Sequence, residues 1–224
     1  MKNSSIMGRK AVRKKRSTNP KRREKYILQL LPVFYEFGLQ ALSMDDISAK
    51  LNVSKATLYN YFATKEDMVT AILQHVLGEI AGFEKIIGSK EMPFLERYFA
   101  SVQLLTKSVA GISNLFLNDL QTNFPDLWQI VRDFRDYAAS VLKDFYEEGK
   151  RENILTGYST DILVLSDRLF FDACTEPKIL AANNLTIEKA FQEYFKLKCF
   201  GMLNISSNTE VKAEALELIN KLEL

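Results

Sequence analysis

The stretch from Ser43 to Phe62, SMDDISAKLNVSKATLYNYF, constrains this chain most, because its caps and apolar spacing specify two short helices joined by a tight turn. Ser43 is suited to an N-cap, and Asp45 and Asp46 bring negative charge to the first turn, where the helix dipole favours it. Met44, Ile47 and Leu51 recur at helical spacing, and Asn52 stands where the chain must turn and accepts a left-handed backbone better than most residues. Val53 plugs the turn, Ser54 caps a second helix, and Leu58 and Phe62 are expected to point inward. Lys55, Ala56, Thr57, Tyr59 and Tyr61 are then expected to face out. A first turn with Lys55, Ala56 and Thr57 suits base edges in the major groove, whereas Tyr59, Tyr61 and Lys65 suit phosphates.

The segment DDISAKLNVSKATLYNYFATKEDM, with REKYILQLLPVFYEFG upstream of it, resembles the DNA-binding segment of the tetracycline-repressor (TetR) family. The resemblance implies that Ser43, Lys55, Ala56, Thr57, Tyr59, Tyr61 and Lys65 contact bases or backbone, and Asn60 on the same helix is counted with them. It also implies an all-α fold, with an N-terminal three-helix helix-turn-helix domain and a larger helical C-terminal domain for ligand binding and dimerisation. The chain departs from the family pattern at Asn52, where a turn glycine is usual, at Ser48 and Leu51, where alanines are usual, and at Pro32 inside the first helix. The bland alternative is an amphipathic helical pair inside an all-α enzyme. Against it stands the joint occurrence, at one spacing, of cap, turn, outward Lys/Thr/Tyr set and trailing Thr64-Lys65-Glu66.

Charge is distributed unevenly. Residues 1 to 70 hold 14 Lys and Arg against 6 Asp and Glu, while residues 71 to 224 hold 16 against 22. A basic N-terminal end draws the chain to phosphate, and an acidic remainder is poorly suited to wrapping nucleic acid. Residues 1 to 19 lack apolar periodicity and are expected to form a disordered basic arm, in which Arg13, Lys14, Lys15 and Arg16 can lie along the DNA backbone or enter a minor groove. A merely solubilising tail is the alternative.

With 47% hydrophobic and 26% charged residues the composition is that of an ordinary globular protein. It contains no apolar run of bilayer length, and its N-terminus is too basic for a signal-peptide core, so a cytoplasmic, nucleoid-associated protein without a membrane partner is expected. Cys174 and Cys199 lack the close spacing of zinc or redox motifs and read as reduced core thiols. The only histidine, His75, reads as structural. Phosphate-cradling glycine loops, HExxH and nucleophile-elbow patterns are absent, so no catalytic residue, metal or cofactor is expected.

The DNA-binding unit with its connecting helix is expected over residues 20 to 80, and the effector-binding and dimerisation domain over 81 to 224. The first helix runs from Pro20 to Phe37 and ends at Gly38, with a kink expected at Pro32. Thr64 caps the connecting helix. Further helices are expected at Pro93 to Val109, Ile112 to Thr122, Pro125 to Gly149, Thr160 to Glu176, Thr186 to Leu203 and Thr209 to Leu224. Tyr98, Phe99, Phe116, Trp128, Phe134, Tyr137 and Phe170 are candidates to line a ligand cavity, although aromatic residues at helical spacing are more often core. The helix from Thr186 is apolar nearly all round and wants burial on more than one side. The TetR resemblance implies that the two late helices pair with their copies, with Ile162, Leu165, Leu169, Phe191, Tyr194, Phe195 and Met202 at the dimer interface. The function expected is therefore a homodimeric regulator, a repressor by preference, released from a palindromic double-stranded operator by a small apolar or amphipathic effector. An all-α structural DNA-binding protein without effector control is the competing reading.

Overall fold

Helix starts in this chain are set by side-chain oxygens. Asn19, Ser43, Ser54, Thr64, Ser113 and Thr186 each accept a hydrogen bond from the backbone N–H three residues on, satisfying a donor that the first helical turn cannot. Ser43 forms a full capping box, because Asp46 reaches back to the Ser43 N–H at 2.9 Å. The computed structural model describes residues 19–203 and 209–221. The basic arm, with Arg13, Lys14, Lys15 and Arg16, lies outside the described residues. Its expected last residue, Asn19, instead belongs to the first helix as its cap, accepting from the Arg22 N–H at 3.2 Å.

Among the described residues there are twelve α-helices: α1 Pro20–Phe37, α2 Met44–Lys50, α3 Lys55–Tyr61, α4 Lys65–Ile80, α5 Gly82–Ile87, α6 Phe94–Val109, α7 Asn114–Asn123, α8 Pro125–Arg151, α9 Thr160–Cys174, α10 Pro177–Ala182, α11 Ile187–Met202 and α12 Thr209–Lys221. The described chain has no strand, only an isolated bridge between Leu155 and Leu203. The fold is all-α, as expected. Helix α1 continues through Pro32, whose ring stands on the exposed side, where water can serve the carbonyl that proline leaves without a donor. The short α5 and α10 were not expected.

Helices α1, α2 and α3 pack around Leu30, Phe34, Leu39, Ile47, Leu58 and Phe62, all with no measurable exposure. Each such side chain contributes roughly 1.5–3 kcal/mol by leaving water. Helix α4 extends this core into the C-terminal bundle through Met68, Val69 and Ile72, and the apolar cluster continues without a break to Phe191, Phe195 and Met202 on α11. Helix α6 sits among α4, α5, α11 and α12, and α8 packs chiefly along α9.

One contact ties the turn after α1 to the bundle. Gly38 adopts φ +73°, and a Cβ there would lie 2.7 Å from Asp119 Oδ2 on α7, so glycine is required both by backbone and by space. The same carboxylate oxygen accepts the Leu39 N–H at 2.7 Å and the Gln40 N–H at 3.0 Å. Lys65 closes the turn from the other side, donating to the Leu42 carbonyl at 2.7 Å and to that of Gln40 at 3.4 Å.

A second polar cluster is buried between α6, α8, α9 and α11. Asp167 Oδ2 accepts from the Tyr146 hydroxyl at 2.6 Å, and Oδ1 accepts from Tyr194 at 2.8 Å and from the Lys198 ammonium. Lys198 also donates to Tyr146 at 2.7 Å. Burial lowers the Lys198 pKa, while Asp167 beside it works in the opposite direction.

Candidate nucleic-acid interface

The turn between α2 and α3 is made by Asn52 at φ +53°, the left-handed conformation expected of it, with the Val53 N–H bonded to the Ser48 carbonyl at 3.0 Å. Ser54 then starts α3. Its hydroxyl accepts from the Thr57 N–H at 3.0 Å and lies 2.8 Å from the Thr57 hydroxyl. Leu58 and Phe62 are fully buried and anchor α3 on the core, which leaves Lys55, Ala56 and Tyr59 exposed and Thr57 and Asn60 partly exposed. The Lys55 ammonium pairs with Asp45 across the two helices at 2.9 Å, and this bond raises its pKa.

Two expected contact residues are placed differently. Tyr61 does not face out: it is buried, packed edge-on against Tyr26 with ring centroids 5.0 Å apart. The reason is helical spacing, because Tyr61 lies three residues after Leu58 and shares its inward face. Its hydrogen bond to Arg22 holds that exposed guanidinium above its usual range. Lys65 is half-buried on the turn carbonyls, and its desolvation lowers its pKa. Ser43 is engaged in its capping box. Sequence reasoning also passed over Arg22 and Lys50, both exposed, the latter with its ammonium 3.3 Å from the centre of the Phe37 ring. Their signal was present in the charge pattern of α1 and α2.

A cavity of about 110 Å³ lies between this unit and the bundle, and the wall facing it is apolar. Of the seven aromatic candidates only Phe116 and Phe134 line it. Tyr98 and Phe99 are buried, Tyr98 near Cys199 and the Asp167 cluster; Trp128 is buried beside Arg135. Tyr137 is exposed and hydrogen-bonded to Glu84, and Phe170 stacks on Tyr194 at 3.8 Å. The rest of the lining includes Phe191 from α11 but also Tyr35 from α1 and Ile72, Val76 and Ile80 from α4, so the cavity extends beyond the 81 to 224 segment in which the effector was expected to bind.

On α9 three charged side chains pair with α8, where Lys143 meets Asp161 at 2.7 Å, Asp136 meets Arg168 at 3.0 Å and Arg135 meets Asp172 at 3.3 Å. Ile162, Leu165 and Leu169 are consequently exposed, together with Leu197 and Phe200 of α11. Phe191, Phe195 and Met202 are not part of that surface: they are buried within the chain's own core, and Tyr194 is partly buried. No helix among the described residues is long and apolar enough to cross a membrane, and none of their His, Cys, Asp and Glu side chains cluster as a metal site.

A doubly capped helix-turn-helix seated on a three-helix core is followed by a larger helical bundle, and the curated relatives that the chain resembles are HTH-type transcriptional regulators. Residues 31–72 match the family described as bacterial regulatory proteins, tetR family. The helix-turn-helix segment of the chain is thus similar to that family. It is 34% identical over 74 residues to the HTH-type transcriptional regulator LuxR of Vibrio harveyi, covering 33% of this chain and 36% of that one. It is 24% identical over 125 residues to the uncharacterised HTH-type regulator YvaF of Bacillus subtilis, covering 55% of this chain and 66% of that one. The matched stretches thus span only part of each relative. A TetR-family regulator from Marinobacter aquaeolei has the same fold, with a TM-score of 0.67 at 18% identity over 88% of this chain and 98% of that one.

Proposed function

We propose that the chain is a homodimeric repressor that leaves a palindromic operator when a small apolar or amphipathic molecule enters the cavity. Residues 20 to 80 are its DNA-binding unit and connecting helix, and residues 81 to 224 its effector and dimerisation domain. Lys55, Ala56, Thr57, Tyr59 and Asn60 on α3 meet the major groove, with Ser43 and the remaining donor capacity of Lys65 at the backbone. Arg13, Lys14, Lys15 and Arg16 add backbone contacts. Tyr61 acts as a positioning residue. It seats α3 against α1.

The observation that carries the ligand reading is the composition of the cavity wall. Tyr35 belongs to α1 and Ile72, Val76 and Ile80 to α4, so a molecule in the cavity touches the DNA-binding unit directly. A ligand shifts DNA affinity only through a difference in its affinity for the two spacings of the readers, and a coupling of about 1–3 kcal/mol changes operator affinity by about 5- to 150-fold. The dimer reading is supported by the exposed apolar strip of α9 and α11.

Selection of bound genomic fragments supplies the operator. Two subunits per palindrome in sedimentation, with half-sites roughly 34–36 Å apart, are expected. A well-folded monomer that binds an unrepeated half-site at full strength overturns the dimeric repressor. Reciprocity tests the switch: operator must weaken a cavity ligand by the factor with which the ligand weakens operator.

A further inference from the structure

We propose that Asp119 is a positioning residue for operator binding: reaching from α7, it locks the turn that enters the helix-turn-helix and so fixes the separation at which two readers meet DNA. The inference rests on the dimeric-operator reading above. It starts from one carboxylate oxygen. Asp119 Oδ2 accepts the Leu39 N–H at 2.7 Å and the Gln40 N–H at 3.0 Å, from residues 80 and 79 positions away in the chain. Asp119 is buried and Leu39 has no measurable exposure, so water is poorly placed to replace that acceptor. The approach is also close. A Cβ at Gly38 would lie 2.7 Å from the same oxygen and 2.8 Å from Leu115 Cγ, so turn and helix cannot slide past one another without opening these bonds.

The hold is passed on within a few residues. Lys65, the first residue of α4, donates to the Leu42 carbonyl at 2.7 Å and to that of Gln40 at 3.4 Å, and Ser43, next in the chain, caps α2. The turn, α2 and the start of α4 therefore form one hydrogen-bonded unit, on whose core α3 is seated by Leu58 and Phe62. Apolar packing of α4 against the bundle is non-directional, whereas two hydrogen bonds to one oxygen specify both position and angle. Another face of α7, with Phe116, Leu117 and Leu120, lines the cavity, so the hold on the reader and the wall of the cavity belong to one helix.

The experiment uses the full chain and the operator recovered from genomic fragments, in three duplexes: the native one and two whose palindrome centre is one base pair longer or shorter. The parent is expected to favour the native spacing by about tenfold or more. Asp119→Ala is expected to keep its helical circular dichroism and to lose that preference, the native duplex weakening by about tenfold or more while the altered duplexes scarcely change. Asp119→Asn retains an oxygen acceptor and is expected to keep the preference. Loss by one common factor on all three duplexes, as a merely structural tie would give, or a preference intact in Asp119→Ala, overturns the proposal and leaves the dimeric reading standing. A parent indifferent to spacing overturns both. Where Asp119→Ala fails to fold, amide hydrogen exchange in the parent decides. Linkage requires the Leu39 N–H to exchange more slowly, by about tenfold or more, on saturating native operator than on the saturating lengthened duplex, and equal rates overturn the proposal.

Discussion

Thr57, proposed above to meet the major groove, is already oriented in the free chain. Its backbone N–H is held by the Ser54 hydroxyl, and the two hydroxyls are 2.8 Å apart, so the side chain is oriented by the cap of its own helix. Thr57→Ala is therefore expected to change preference among operator variants by about 1–3 kcal/mol, measured by competition between duplexes differing at single base pairs. Equal losses on all duplexes would assign Thr57 to the backbone. A different single residue governs acid stability. Arg97, almost wholly buried, pairs with Glu148 and holds its carboxyl below the usual carboxylate value of 4.5. Because the folded-state pKa is depressed, the pair's contribution is complete above about pH 4.5 and is lost as pH falls through the lower folded value. Glu148→Gln is expected to cost about 1–3 kcal/mol at pH 7, and urea titrations should find the gap from the parent closing below pH 4.5.

At the scale of elements, the helices that announce themselves are those with a cap and a sustained apolar period. Ser43, Ser54 and Thr64 were expected as caps, and all three accept the N–H three residues on, as does Thr186, which had been expected as the first residue of its helix. Helices α5 and α10 are six residues each, less than two turns, and lack a side-chain cap bond, so neither period nor cap signals them. Helix α11 taught a different lesson. It is apolar on both sides, and spacing alone does not say which side enters its own subunit. Phe191, Phe195 and Met202 enter the core, while Leu197 and Phe200 are left exposed. The cavity was illegible for a related reason: its wall is drawn from helices distant in sequence, including α1 and α4, and only their crossing creates it. The Asp167 cluster likewise joins α8, α9 and α11 through residues that look unremarkable singly. Lys198→Met leaves the Asp167 carboxylate buried without its cation, so a loss of about 3–5 kcal/mol is expected in denaturant unfolding. A loss under about 1 kcal/mol would show that the tyrosine hydroxyls suffice.

For the whole molecule, α9 is the informative surface, since Asp161, Arg168 and Asp172 pair with α8 of the same chain while Ile162, Leu165 and Leu169 are exposed. Leu169→Glu combined with Leu197→Glu places four charges per assembled pair in the proposed interface. Sedimentation should then give a folded monomer, with unchanged helical circular dichroism and operator affinity reduced at least 100-fold; an intact dimer would move the interface elsewhere. The apolar cavity carries one further consequence, for mechanical work. Poorly packed space of about 110 Å³ beside an apolar wall is eliminated when the chain unfolds. Unfolding volumes of roughly −20 to −100 mL/mol scale with such voids. Hydrostatic pressure should therefore unfold the free regulator at a lower threshold than the form whose cavity holds a ring-sized guest, and high-pressure fluorescence of Trp128 would read the difference. Depth and compression, quantities remote from transcription, thus act on the same 110 Å³ or so that the proposed effector would fill.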